Sequence, residues 1–190
     1  MKTFKNLSLI ALVFTFGFQM TMAQQVTRTH TVRANGSKTK TIKATDGQGN
    51  GKGAVVHQDR HGNVYKAGGV NKANGTKKRA AGVNKVDGTK KRAAGVNQAN
   101  GTKKRAYGVN KPNGTKKRAA GVNRANGDKY RAGGVNKANG TKKRAAGVNK
   151  ANGTMKRAYG ANHANGTKVR AAGVKRPNGS KKGRVRVRRN

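Results

Sequence analysis

Three adjacent cations, Lys77-Lys78-Arg79, return as Lys90-Lys91-Arg92, Lys103-Lys104-Arg105, Lys116-Lys117-Arg118 and Lys142-Lys143-Arg144, and in shortened form as Lys156-Arg157. The chemistry open to such runs is electrostatic. Ammonium and guanidinium groups neutralise phosphate, sulfate or carboxylate, and the planar arginine fork can grip a phosphate with two hydrogen bonds. One run of this kind is simply a solvated surface. Repeated through a chain with 45 Lys and Arg against four acidic residues, it describes a periodic cationic surface that attracts polyanions. The residues expected to carry binding are those of the six runs, with the alternating Arg184, Arg186 and Arg188 near the C-terminus.

Catalytic chemistry has few carriers. There is no Cys, and the four acids, Asp46, Asp59, Asp87 and Asp128, are scattered. His30, His57, His61 and His163 are not grouped around an acid or a serine. His57-x-x-x-His61, with Asp59 between, has the spacing of a ligand pair on a helix, but its surroundings read as strand and turn, so solvated histidines are expected rather than a metal. The glycines fit turns and no nucleotide-phosphate loop. The expectation is a non-enzymatic protein with no cofactor and no small-molecule substrate.

The elements that position the cations follow from a second periodicity. Glycine recurs at 62, 75, 88, 101, 114, 127, 140, 153, 166 and 179, every thirteen residues, in a unit typified by Asn-Gly-Thr-Lys-Lys-Arg-Ala-Ala-Gly-Val-Asn-Lys-Ala. Lys111-Pro112-Asn113-Gly114 and Arg176-Pro177-Asn178-Gly179 show the turn chemistry most clearly. Proline presets φ near −65°, Asn follows, and Gly takes the positive φ that closes a three-residue hairpin loop. About ten residues between turns suffice for one strand.

Pairing is then arithmetic. With Val86-Asp87-Gly88 as a loop, Lys85 faces Thr89, Asn84 faces Lys90, Val83 faces Lys91, Gly82 faces Arg92 and Ala81 faces Ala93. No cation opposes another in this unit, although the last hairpin sets Lys175 against Lys181. A parallel solenoid would stack lysine on lysine in every layer, so the antiparallel meander is favoured. Exchanges between units agree: Ala161, where other units have Val, faces Val169, and Tyr130 faces Val122. Arg124 faces Asp128.

The expected fold is all-β, a thin antiparallel β-meander of 13-residue hairpin units. The alternative is a largely disordered polycation, because low hydrophobicity with high net charge is the signature of disorder. Neither face of the sheet makes a core.

Residues 1–23 have a basic start (Lys2, Lys5), a short apolar stretch and a small residue, Ala23, at the end, the pattern of a secretory signal peptide. All Phe and Leu lie within it, so the remainder is apolar only through Ala, Val and a few others. Two of the 45 basic residues also fall there, which leaves 43 against four aspartates and a net charge of +39. Residues 24–46 are expected to form an N-terminal hairpin around Ala34-Asn35-Gly36, 47–53 a flexible Gly-rich linker, 54–183 the repeat array and 184–190 a basic tail.

These features describe a secreted protein, extracellular, at the cell surface or in a periplasm. It would bind polyanions by sequence-independent electrostatics in a matrix or surface setting. Extracellular nucleic acid is the leading candidate, and lipopolysaccharide and acidic polysaccharide are the others. Two rival readings exist. Repeated Lys-Lys-Arg followed by Ala resembles a precursor cut at dibasic sites, and a regular β-array could be a structural or adhesive protein that self-associates once its charge is screened. Asn74, Asn100, Asn113, Asn139, Asn152 and Asn165 also sit in N-glycosylation sequons, which the turn chemistry explains without glycans.

Overall fold

The computed structural model describes residues 25–189, and the expected signal peptide lies outside them. The chain forms one 13-stranded sheet with strands in sequence order and every neighbouring pair antiparallel. The strands are β1 (Gln25–Val32), β2 (Lys38–Thr45), β3 (Gly51–Gln58), β4 (Val64–Asn71), β5 (Lys77–Asn84), β6 (Lys90–Asn97), β7 (Lys103–Asn110), β8 (Lys116–Asn123), β9 (Lys129–Asn136), β10 (Lys142–Asn149), β11 (Met155–Asn162), β12 (Lys168–Lys175) and β13 (Lys181–Arg188). At ~4.8 Å between strands, the sheet runs about 58 Å from first strand to last. It is an open meander.

The turns are built as their sequence dictates. In the β5–β6 hairpin the Lys85 N–H donates to the Thr89 carbonyl (2.9 Å) and the Gly88 N–H to the Lys85 carbonyl (3.1 Å), with Gly88 at φ +79°. The Asp87 carboxylate accepts from the Thr89 N–H at 2.8 Å, a role Asn fills in most other units, as Asn113 does for Thr115. Such turns fix the register residue by residue, and Val83↔Lys91, Gly82↔Arg92, Tyr130↔Val122, Ala161↔Val169 and Lys175↔Lys181 all pair as the arithmetic requires.

Two expected boundaries differ. Residues 47–53 are not a linker: the chain turns over Asp46–Asn50 and β3 begins at Gly51, paired with β2. The Asp46 carboxylate organises that turn, accepting from the Gln48 and Asn50 N–H groups and from Asn50 Nδ2. Glycine composition signals flexibility, whereas Gly47 and Gly49 supply the positive φ values of a tight reversal. The basic tail expected from 184 begins inside β13, where its alternation forms an edge strand with Arg184, Arg186 and Arg188 on one face and Val185 and Val187 on the other.

Every facing pair joins two odd or two even residue numbers, so odd-numbered strand residues share one face and even-numbered ones the other. Thirteen is odd, so each position of the unit alternates faces from strand to strand. The two faces are therefore near copies shifted by one strand. Among the described residues the buried apolar side chains are Ala44, Val109 and Ala161, while the buried polar ones, Ser37, Asp46, Thr102 and Thr141, all belong to turns. Stability comes from the backbone ladder and from turns that touch along the rims. The Ala151 N–H donates to Asp128 in the next turn on its rim (2.8 Å), and Pro112 lies over Gly88, its Cγ 3.7 Å from where a Cβ on that glycine would stand.

Candidate polyanion interface

Alternation along a strand splits each basic run. Lys77 and Arg79 lie on the odd face and Lys78 on the even one; in the next strand Lys90 and Arg92 are on the even face and Lys91 on the odd. Of the expected residues, the odd face carries Lys77, Arg79, Lys91, Lys103, Arg105, Lys117, Lys143 and Arg157. The even face carries Lys78, Lys90, Arg92, Lys104, Lys116, Arg118, Lys142, Arg144, Lys156, Arg184, Arg186 and Arg188. A run is thus not a patch. The patch is a row across strands.

On the odd face Lys77, Lys103 and Lys129 stand in one row, alternating with Asn97 and Asn123. Lys91, Lys117 and Lys143 stand in another, alternating with Val83, Val109 and Val135. The rows are six residues apart along a strand, about 20 Å, and each repeats every second strand, about 9.6 Å. Each pair of strands thus presents two lysines and one arginine per face, roughly one charge per 3.2 Å of sheet axis. That is sparser than one per ~2.4 Å from dividing all cations between the faces, because Lys85 and its equivalents sit in the turns.

The arginines closing each run occupy a built socket. Arg79 Nη1 donates to the Val70 carbonyl (3.2 Å) and its own Lys78 carbonyl (2.8 Å), and Nη2 to Asn71 Oδ1 (2.7 Å). The side chain lies across Gly69 of the preceding strand. Arg92, Arg105 and Arg131 repeat all three bonds with Asn84, Asn97 and Asn123. Arg157 makes them through Nη1 alone. Arg118, Arg144 and Arg170 keep the carbonyl bonds, and the asparagines beside them, Asn110, Asn136 and Asn162, have Oδ1 buried without a partner. These guanidinium groups are fixed charges with much of their donor capacity already used, not free forks.

Arg131 and Arg170 fall outside the expected set because Tyr130 and Val169 interrupt their basic runs. The period carries the signal: Arg holds its position in every strand from β5 to β12 while its neighbours vary. In β4 the same position is Lys66, and the residue facing it on the preceding strand is Val56, which leaves no glycine notch for a guanidinium.

Among the described residues no aspartate lies in a strand. Asp59 is held below the usual carboxylate range chiefly by the Asn63 side-chain amide, aided by the Asn63 and His61 N–H groups and the Tyr65 hydroxyl, against partial desolvation. Asp46 is lowered in the same way by Asn50, Asp87 chiefly by the Thr89 N–H, and Asp128 chiefly by the Ala151 N–H. The carboxylates are bound up in turns, and Asp87 also feels the charge of Lys91 at the end of its hairpin. His57 and His61 do not converge: His57 Nδ1 meets Thr39 Oγ1 (2.9 Å) and its ring tilts on Tyr65, while His61 Nε2 accepts from Arg60 (3.0 Å).

The odd face is also grooved. An open groove of about 1260 Å³ extends from Thr41 of β2 to Arg131 of β9, floored by Gly and Ala around the half-exposed Tyr107. A second, of about 730 Å³, continues from Lys129 to Val185 past Tyr159. Searches find no protein-family model that matches the chain and no significant match among the curated proteins.

Proposed function

We propose that this is a secreted, non-enzymatic repeat protein that binds extended polyanions across its strands, with extracellular nucleic acid as the leading ligand. One observation carries the reading: two staggered lysine rows per face, with no carboxylate in any described strand to offset them. About one cation per 3.2 Å on a face, against one phosphate per ~1.7 Å of duplex, gives binding by counterion release without base readout. The spacing of the rows, about 20 Å, lets a polymer lie along the sheet axis with cations on both flanks. The odd-face grooves supply a track in that direction.

The precursor reading loses support from the same geometry. The Arg79–Ala80 and Arg92–Ala93 bonds lie inside strands paired on both sides, so a dibasic protease would need the sheet opened first. The test is a titration of the secreted chain with duplex DNA and with an acidic polysaccharide across salt concentrations. Tight binding to DNA with a steep linear fall in log K against log salt is expected. No binding in dilute buffer, or recovery of the chain as short fragments, defeats the reading.

A further inference from the structure

An open meander leaves two edges, and they differ in character. β13 presents Lys181, Lys182, Arg184, Arg186 and Arg188, a density of charge that keeps an edge from pairing. β1, Gln-Val-Thr-Arg-Thr-His-Thr-Val, carries one Arg, is rich in β-branched residues and is exposed along its whole length. Behind it, β2 carries Lys38, Lys40 and Lys43, while β3 and β4 hold one lysine each, Lys52 and Lys66, against three cations in each of β5 to β8.

The backbone of that edge has a defined polarity. The Arg33 N–H donates to the Ser37 carbonyl (2.9 Å), which makes this a hydrogen-bonded pair. Such pairs alternate in an antiparallel ladder, so Thr31, Thr29, Thr27 and Gln25 bond inward to β2. Val26, Arg28, His30 and Val32 therefore direct their N–H and C=O groups outward, with no described strand beside them.

We propose that β1 is the pairing surface for a second copy of this chain, joined antiparallel about a two-fold axis through Thr29 to give one continuous 26-stranded sheet. In this register Val26 faces the partner's Val32 and Arg28 faces the partner's His30, so all four outward residues are paired and about eight backbone hydrogen bonds form. On the other face Thr27 meets the partner's Thr31 and Thr29 meets the partner's Thr29. Sliding by two residues in either direction leaves three outward pairs, and in one direction sets Arg28 on the partner's Arg28. Joining through β1 brings two strand cations to the seam; β13 against β1 would bring six, and β13 against itself ten. At physiological salt the screening length is about 8 Å, whereas the three lysines of β2 stand three strand spacings, about 14 Å, from the partner's β2, so the charged strands behind the seam do not oppose it.

The inference is independent of polyanion binding, and its test uses none. Sedimentation of the secreted chain at about 0.15 M salt should give twice the monomer mass. His30→Pro removes an outward N–H and leaves the ladder to β2 intact. It should weaken the dimer roughly tenfold or more. The chain has no cysteine, so Thr29→Cys should form a disulfide-linked dimer on oxidation, the facing Cα atoms of such a pair being ~4.5 Å apart. Val187→Cys, on the opposite edge, should form no disulfide-linked dimer. A chain that sediments as a monomer, a His30→Pro variant as dimeric as the parent, or equal cross-linking through positions 29 and 187 overturns the proposal.

Discussion

Arg79 lies so closely over Gly69 that a Cβ added to the glycine would stand 2.6 Å from Arg79 Cδ and 2.7 Å from the Lys78 carbonyl oxygen. The glycine is there for its neighbour's side chain, not for its own backbone angles. Gly69→Ala must displace both the arginine and backbone. At Gly160 the equivalent approach to Arg170 is 3.3 Å and no backbone atom comes nearer than 3.6 Å. Gly69→Ala is therefore expected to cost about 1–3 kcal/mol and Gly160→Ala clearly less. Local amide-exchange protection in the flanking strands reads each site, because a repeat array need not unfold as one unit.

The socket separates charge from geometry. Arg105→Lys keeps the charge but cannot bond the Val96 and Lys104 carbonyls and Asn97 Oδ1 together. Loss of about 1–3 kcal/mol of local stability is expected from the net value of those charge-assisted hydrogen bonds. The salt dependence of DNA binding should stay nearly unchanged. If the substitution cuts binding and leaves stability intact, the arginine is a free ligand group after all.

Much of this fold is legible along the chain, and the division has a physical cause. The register follows from Asn-Gly turns of fixed length, so Val83↔Lys91 and Ala161↔Val169 need only counting. The arginine socket joins Arg79 to Gly69, Val70 and Asn71, eight to ten residues back on another strand, and a basic run read in isolation hides it. Lys66 and Arg131 carry the clue, one by departing from Arg opposite Val56 and the other by keeping Arg when Tyr130 replaces Lys. The turn at Asp46–Asn50 is hidden for another reason. Its order comes from one carboxylate and two glycines at positive φ, which composition alone does not distinguish from a loose linker.

The rims make a paired test of turn stacking. Pro112 and Pro177 show that the first loop position accepts proline. Ala138 occupies that position in the Lys137–Thr141 turn, and Ala138→Pro is expected to stabilise by about 0.4–1 kcal/mol through the unfolded state. Ala151→Pro removes the N–H that Asp128 accepts at 2.8 Å and should be neutral or destabilising. Thermal unfolding of the two variants side by side gives the comparison.

Acid should loosen the turns that Asp46 and Asp59 organise. Asp46 and Asp59 have folded pKa values below their ordinary value, through Asn50 and Asn63 respectively. A depressed pKa contributes stability that is fully present above the unfolded value, ~3.9, and is lost as pH falls through the lower folded value. Amide protection in the β3–β4 hairpin should thus hold from pH 6 to about 5 and decline below about 4. Asp59→Asn should flatten that decline while lowering protection at pH 6. An unchanged acid profile in the variant would show that Asp59 does not organise the turn.

The lysine rows give the most direct test of function. Lys103 and Lys117 lie on the odd face, in the two rows that flank the groove floor at Tyr107. Neither is among the residues bonding the arginine sockets on that face. Replacing both with Gln should leave the sheet intact and lower the slope of log K against log salt by up to about 0.9 for each phosphate that a lysine no longer neutralises, equally for any duplex sequence. The matched change on the other face, Lys104 and Lys116 to Gln, removes the same net charge. If a polymer prefers the grooved face, the odd pair reduces the slope and the even pair does so less. Equal effects would mean that the sheet offers both faces alike, and no effect from either pair would remove the lysine rows from the binding reaction altogether.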